Sequence, residues 1–252
     1  KFEFRMVGSS QSIGLVNAVI NGIVADTLRG FADRLEAAED KGAAVRQIVR
    51  DSWLEHRRVV FNGNNYSAEW AAEARRRGLP CLDHMAAAVS AFVAPKNVEM
   101  FTRTKIFTPG ECHSRYEVLL EQYSKTVHIE ALTMLEMVDR SVLPASIEWL
   151  GRIARSGYYA EQRGAGCKAA DRLSARLSDA IDAVEAARDA LAGAVQEIDA
   201  PNGQDAQALA DRWYEVRSGA MGDLRVACDR LEELVSDDLW PMPGYSDLLY
   251  DL

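Results

Sequence analysis

Apolar and polar positions along this chain repeat mostly with the period of a helix. Ile13, Val16, Ile20, Ile23, Val24, Leu28, Phe31 and Leu35 recur at helical spacing, with Ser12 placed to cap them. This stretch is apolar around much of its circumference early and amphipathic later, so its start is expected to be the more buried end. Gly42 marks a break, and Val45, Ile48, Val49 and Trp53 predict a second helix to about His56. Asn62-Gly63-Asn64-Asn65 reads as a turn. Ser67, Asp83 and Pro95 then open three short helices, the first ending at Gly78. Thr108-Pro109-Gly110-Glu111 combines a cap, a first-turn proline and a capping-box glutamate ahead of a long helix. Pro144 should kink or break that helix, and Arg163-Gly164-Ala165-Gly166 is a loop.

From Leu177 to Ile198 the pattern tightens into a heptad seam: Leu177, Ile181, Val184, Leu191, Val195 and Ile198, with Arg188 as the one charged exception. Leu209, Trp213, Val216, Ala220, Leu224, Ala227, Leu231 and Leu234 form a matching stripe beyond the turn Pro201-Asn202-Gly203. The short link predicts an antiparallel helical hairpin. Trp240-Pro241-Met242-Pro243-Gly244-Tyr245 cannot form a regular helix. The first five residues differ from all the rest. Lys1-Phe2-Glu3-Phe4-Arg5 alternates with period two, which places two phenylalanines on one face of a strand and three charges on the other. One strand cannot stand alone, and no second strong strand follows, so its sheet is expected to lie in a preceding segment.

Composition changes this picture little. The chain has 252 residues, 48% hydrophobic and 27% charged, as in an ordinary globular protein. The net charge of −9 argues against a nucleic-acid surface, which needs clustered positive charge. No apolar run approaches the roughly 20 residues that span a bilayer. Cys81, Cys112, Cys167 and Cys228 are widely spaced, with neither a Cys-x-x-Cys pair nor zinc-like Cys/His spacing, as expected of free thiols in the cytoplasm.

The charged face of the first strand is the main chemical candidate. A glutamate can hold a hard divalent cation, and Lys and Arg can neutralise phosphate or carboxylate. Together they suit phosphoryl transfer. The same alternation also fits a half-solvated strand with no chemistry. His113 and Glu117 stand one helical turn apart, but two ligands are half a metal site, and a local hydrogen bond or ion pair is the better reading. A ferritin-like site is excluded, because no histidine has a glutamate three residues before it.

Several longer motifs carry a resemblance. Lys1-Phe2-Glu3-Phe4-Arg5 with Met6-Val7-Gly8-Ser9-Ser10-Gln11-Ser12 resembles the late active-site strand of glutamine synthetase in its type III form. The segment Glu99–Thr108 resembles that family's lead into a long helix. His113-Ser114-Arg115-Tyr116-Glu117 and Lys125–Met134 resemble its most recognisable helical stretch, and Trp240-Pro241 with Tyr245–Leu249 its closing motif. The likeness runs along nearly the whole chain and is weakest from about Tyr158 to Asp211.

The resemblance implies a mainly α fold. Long antiparallel helices would form a bundle, preceded by one strand of the family's catalytic α/β barrel. Residues 1–107 would end the catalytic domain and 108–252 would form a C-terminal helical bundle. It implies a ligase that makes glutamine from glutamate, ammonia and ATP through γ-glutamyl phosphate, with Mg2+ or Mn2+, in a cytoplasmic double-ring homo-oligomer. Glu3 falls on a metal-ligand position, Arg5 on the arginine that contacts glutamate and the transferred phosphoryl group, and Lys1 on a basic residue near the nucleotide phosphates. The family's other metal ligands have no counterpart in this chain, which alone is expected to be inactive. The alternative from the helices themselves is a non-catalytic scaffold whose self-association would be lost when Leu191 or Leu224 becomes charged.

Overall fold

The computed structural model describes residues 6–7, 11–200, 203 and 205–250. These are mainly helical and include no strand, and the expected strand Lys1–Arg5 lies outside them. The chain divides into two compact units, Lys1–Leu119 and Leu120–Leu252.

In the first unit, α1 (Gly14–Glu36) starts where the Ser12 hydroxyl accepts the Gly14 N–H at 3.1 Å. The break before α2 (Lys41–His56) falls at residues 37–40 rather than at Gly42. Asp40 sets it, because its carboxylate accepts the Ala43 N–H at 2.9 Å from an extended backbone. Ser67 precedes α3 (Ala68–Arg76), yet its hydroxyl donates back to the Asn64 carbonyl instead of capping the helix. Gly78, at φ +68°, ends α3 by letting the Leu79 N–H reach the Ala74 carbonyl. The cap of α4 (Met85–Val89) is His84, whose Nδ1 accepts the Ala87 N–H, and not Asp83. Pro95 opens α5 (Pro95–Arg103). The capping box at Thr108 and Glu111 forms as the sequence indicates and starts α6 (Pro109–Met137).

A small core joins these pieces: Met100, Phe101 and Cys112, with Val19, Phe92, Val98, Ile106 and Phe107 packed on it. Gly22 brings α1 close, since a Cβ there would sit 2.5 Å from Ile106 Cδ1. The start of α1 is not the buried end that its composition suggests. Ile13, Ile23, Val24 and Leu28 are all about half exposed, while α1 packs on α5 at the Gly22 side and also on α2, to which Arg34 is paired through Asp51.

The second unit has the larger core. Pro144 does not end the long helix. The chain instead widens into one π-turn over Val138–Val142, with the Leu143 N–H bonded to the Val138 carbonyl, and continues as α7 (Leu143–Gln162). A wide turn just before a proline moves aside the carbonyl its ring would strike. The fully buried Ser146 donates to the Val142 carbonyl at 2.7 Å and satisfies it. After a loop containing Gly164 at φ +73°, α8 (Lys168–Asp199) runs for 32 residues. The six apolar seam residues are its buried set. They pack with α7 and with the next stripe, which is two helices rather than one. Gly219 separates α9 (Ala206–Ser218) from α10 (Ala220–Glu232). Leu209 and Ala227 of the expected stripe pack against the core, and Ala210 and Cys228 are buried as well. Trp240 and Met242 of the irregular tail lie against this core before α11 (Tyr245–Tyr250). Leu191 and Leu224 are fully buried inside the unit. A charge at either would unfold it and not report on self-association.

Two substitutions two residues apart on α8 should act in opposite directions. Leu191→Ala is expected to cost about 2–5 kcal/mol by opening a cavity. Gly193→Ala, whose Cβ would meet nothing within 4 Å, is expected to stabilise by about 0.5–1 kcal/mol. Urea midpoints followed by helical circular dichroism check both signs.

Candidate functional site

Lys1, Glu3 and Arg5, the residues singled out from the sequence, lie outside the described residues. The structure instead describes the scaffold that follows them. Nearest in sequence is α1, anchored to α5 by a two-pronged ion pair. Arg103 donates to Asp26 at 2.7 and 2.8 Å, and these bonds hold the Asp26 carboxyl below the usual carboxylate range. Beside it, the Phe92, Phe101 and Phe107 rings lie 5.1–5.7 Å apart. The Arg115 guanidinium sits 4.6 Å from the Phe107 centroid, a cation–π contact that turns this arginine inward toward the aromatic cluster.

The run Arg75-Arg76-Arg77 is largely neutralised internally. Arg76 and Arg77 both donate to Glu73, whose carboxyl is drawn down to about 2 by those bonds. Arg77 also donates to the carbonyls of Arg58 and Val60, at 3.0 and 2.7 Å, and lies over the stacked Phe61 and Trp70 rings. It therefore clamps the loop after α2. Arg75 approaches Asp83 at 4.0 Å. Periodicity cannot reveal such a hub, because its partners are backbone carbonyls of a loop.

In the second unit Arg188, the exception in the α8 seam, reaches Asp139 in the π-turn at 2.6 and 2.8 Å. Its hydrogen bonds hold the Asp139 carboxyl below its ordinary value. The charge interrupting an apolar seam was the signal for this pair. Its partner could not be read, because the π-turn that presents Asp139 was not foreseen. His128 stacks on Trp213 with centroids 4.9 Å apart, and its Nε2 lies 3.3 Å from Asp199 without an aligned hydrogen bond.

Among the described residues no group of three or more His, Cys, Asp or Glu side chains could hold a metal ion. His113 and Glu117 both lie on α6, exposed, with no third ligand beside them. All four cysteines are free, and no described helix is long and apolar enough to cross a membrane. The interactions described among these residues are helix caps, ion pairs and packed faces.

Comparison with known proteins shows what they support. Residues 44–160 match the model of the glutamine synthetase C-terminal domain. That stretch runs from the second helix of the first unit through the π-turn to the end of α7. The chain belongs to the glutamine synthetase family. It is 31% identical to the type-3 glutamine synthetase of Dictyostelium discoideum over 99% of its length, covering 35% of that protein. It is 30% identical to a glutamine synthetase of Butyrivibrio fibrisolvens over 82% of its length, and 26% identical to one of Bacteroides fragilis over 99%. The chain spans about a third of the length of these curated relatives. Within the glutamine synthetase match fall the Arg77 hub, the Arg115–Phe107 contact and the Asp139 end of the π-turn clamp.

The Arg188–Asp139 pair gives a pH dependence of definite sign. A carboxyl held low in the folded state contributes stability above its unfolded pKa, about 3.9, and loses it as pH falls through the lower folded value. Asp139→Asn is therefore expected to flatten the acid limb of stability below about pH 4. At pH 7 its cost should stay within about 1 kcal/mol, since the pair is partly exposed. Urea midpoints at a series of pH values from acid to neutral measure both effects. An unchanged acid limb would assign that limb to other carboxylates.

Proposed function

We propose that this chain acts as the C-terminal portion of a glutamate–ammonia ligase. Such an enzyme uses ATP to form γ-glutamyl phosphate from glutamate, and ammonia then displaces the phosphate to give glutamine. The observation that carries the reading is the likeness to glutamine synthetases along 99% of the chain, together with the coverage of only about a third of those proteins. The reaction's remaining groups would then belong to the uncovered two thirds.

On this reading Arg5 binds glutamate and the transferred phosphoryl group, where a planar guanidinium suits a carboxylate or phosphate better than an ammonium does. Lys1 lies near the nucleotide phosphates. Glu3 supplies one oxygen ligand to Mg2+ or Mn2+. The described residues offer no donor set for that ion, so its other ligands would come from outside them. The described helices would hold Lys1–Arg5 against the barrel and support assembly into a homo-oligomeric double ring in the cytoplasm. The grooves along α8 fit an antiparallel hairpin: residues 176–187 line one with 223–234, and 194–198 line another with 212–220. The exposed Ile129, Ile147, Tyr158 and Tyr159 of the second unit suit subunit contacts. Neither nucleic acid nor membrane enters this reading.

The test is ATP-dependent glutamine formation by the intact gene product. Arg5→Lys is expected to lower kcat by about a hundredfold, as loss of a transition-state charge contact does. Glu3→Ala should raise the Mg2+ concentration needed for half-maximal activity, and the 252-residue chain alone should show no turnover. Wild-type kinetics in both variants would remove these residues from the site. Turnover by the isolated chain would show that it holds the catalytic groups itself.

A further inference from the structure

A histidine sits where α6, α8 and α9 meet. The His128 ring of α6 stacks on Trp213 of α9, with centroids 4.9 Å apart and planes 29° from parallel. Its Nε2 lies 3.3 Å from a carboxylate oxygen of Asp199. That nitrogen is closed off from solvent, although 33% of the side chain is exposed, and it makes no aligned hydrogen bond. A buried polar atom beside a carboxylate and still unbonded is costly to leave so. Asp199 is the last residue of α8, and the last turn of that helix also holds Glu197 and has no basic side chain. The negative end of a 32-residue helix therefore meets acidic side chains there with no cation in the same turn. A charge on His128 would answer both deficits.

We infer that His128 is a proton-operated latch: protonation of its ring turns the approach to Asp199 into a charge-assisted hydrogen bond that ties α6 to the end of α8, with Trp213 of α9 as its seat. A neutral imidazole carries a proton on one nitrogen only, whereas the imidazolium donates from both, so Nε2 then offers an N–H to the carboxylate whichever tautomer preceded it. The cation also lies against the face of an indole and at the negative end of α8. The surrounding charges have other engagements. On α6, Lys125 stands one turn before His128 and donates to Glu121 at 2.9 Å, and Glu130 lies two residues beyond the ring. On α9, Asp205 caps the helix at Ala208 and Asp211 accepts from Gln207. Arg217, one turn beyond Trp213, bonds Tyr123, and Arg212 lines a groove with Glu197 and Glu215. Asp199 is the carboxylate within ion-pair distance of the ring. A bond made by the charged imidazole adds stability where histidine is protonated, and that stability is lost as pH rises through the range in which histidines titrate, about 5 to 8.

Urea unfolding and tryptophan emission of the 252-residue chain at about pH 8.5 and 5.5 test this beside two variants. His128→Phe keeps an aromatic ring on Trp213 and takes no proton. Asp199→Asn removes the carboxylate from a half-exposed position at a helix end, where folding tolerates the change. From the higher pH to the lower, the folding constant of the unsubstituted chain is expected to rise about fivefold relative to that of His128→Phe. Asp199→Asn should lose this gain. An imidazolium stacked on an indole quenches its emission, so acidification should dim the unsubstituted chain and Asp199→Asn but not His128→Phe. Dimming that persists in Asp199→Asn while the gain is lost assigns the latch to the carboxylate and not to the stack. Parallel pH dependence of stability in the unsubstituted chain and His128→Phe would overturn the latch. So would a gain that survives in Asp199→Asn, which would give the bond to another group. If His128→Phe does not fold, the comparison with Asp199→Asn decides by itself, and equal gains in the two chains overturn the proposal.

Discussion

The buried face of α8 is the constraint on which the second unit depends. Leu177, Ile181, Val184, Leu191, Val195 and Ile198 hold one line along 32 residues, and both α7 and α10 pack against that helix. A helix with a narrow apolar line takes most of its stability in a folded protein from packing on its neighbours. The neighbours accordingly adapt to the line. The α9–α10 pair breaks at Gly219, which re-aims the second half so that Met221, Leu224, Cys228 and Leu231 all reach the core. The α6–α7 segment accommodates Pro144 with a π-turn and keeps its direction as a helix. Arg188 interrupts the line at one place, and its charge fastens the π-turn through Asp139 instead of remaining unpaired.

Elements whose signal is local came through: the Thr108–Glu111 capping box, the Gly78 stop, proline at the start of α5, and the six-residue seam. Each is fixed by groups within a few residues of one another. The misses share a different character. Ser67 had two carbonyl and amide partners within reach, and the turn at Asn64 took its hydroxyl. Asp83 and His84 are adjacent potential caps, and the helix began one residue later than the better-known capping residue implied. Gly219 and Gly222 both lie within an otherwise periodic stripe, where helix and break differ little in local free energy and packing against α8 decides.

The site was legible in another way. Alternation in Lys1–Arg5 gave a charged strand face, and only the resemblance of longer motifs gave that face a chemistry. Among the described residues no group of three or more His, Cys, Asp or Glu side chains could hold a metal ion. What they add is a set of fixed relations around the start of the chain: α1 is held to α5 at Gly22, Asp26 and Arg103, while Arg115 is held to the aromatic cluster beside them. These interactions commit nearby arginines that a reading from composition would leave available for phosphate.

The start of α1 shows what composition alone leaves undecided. Apolar residues there implied burial, yet Ile13, Val24 and Leu28 are about half exposed. Composition tells how apolar a helix is, whereas the side that its neighbours take depends on how close they can come. On α1 that side is set by Gly22, whose missing Cβ leaves room for Ile106, and by Asp26, which receives Arg103 one turn further on. A small residue and an acidic one thus fix the packed face of a helix whose largest apolar side chains lie elsewhere on its circumference.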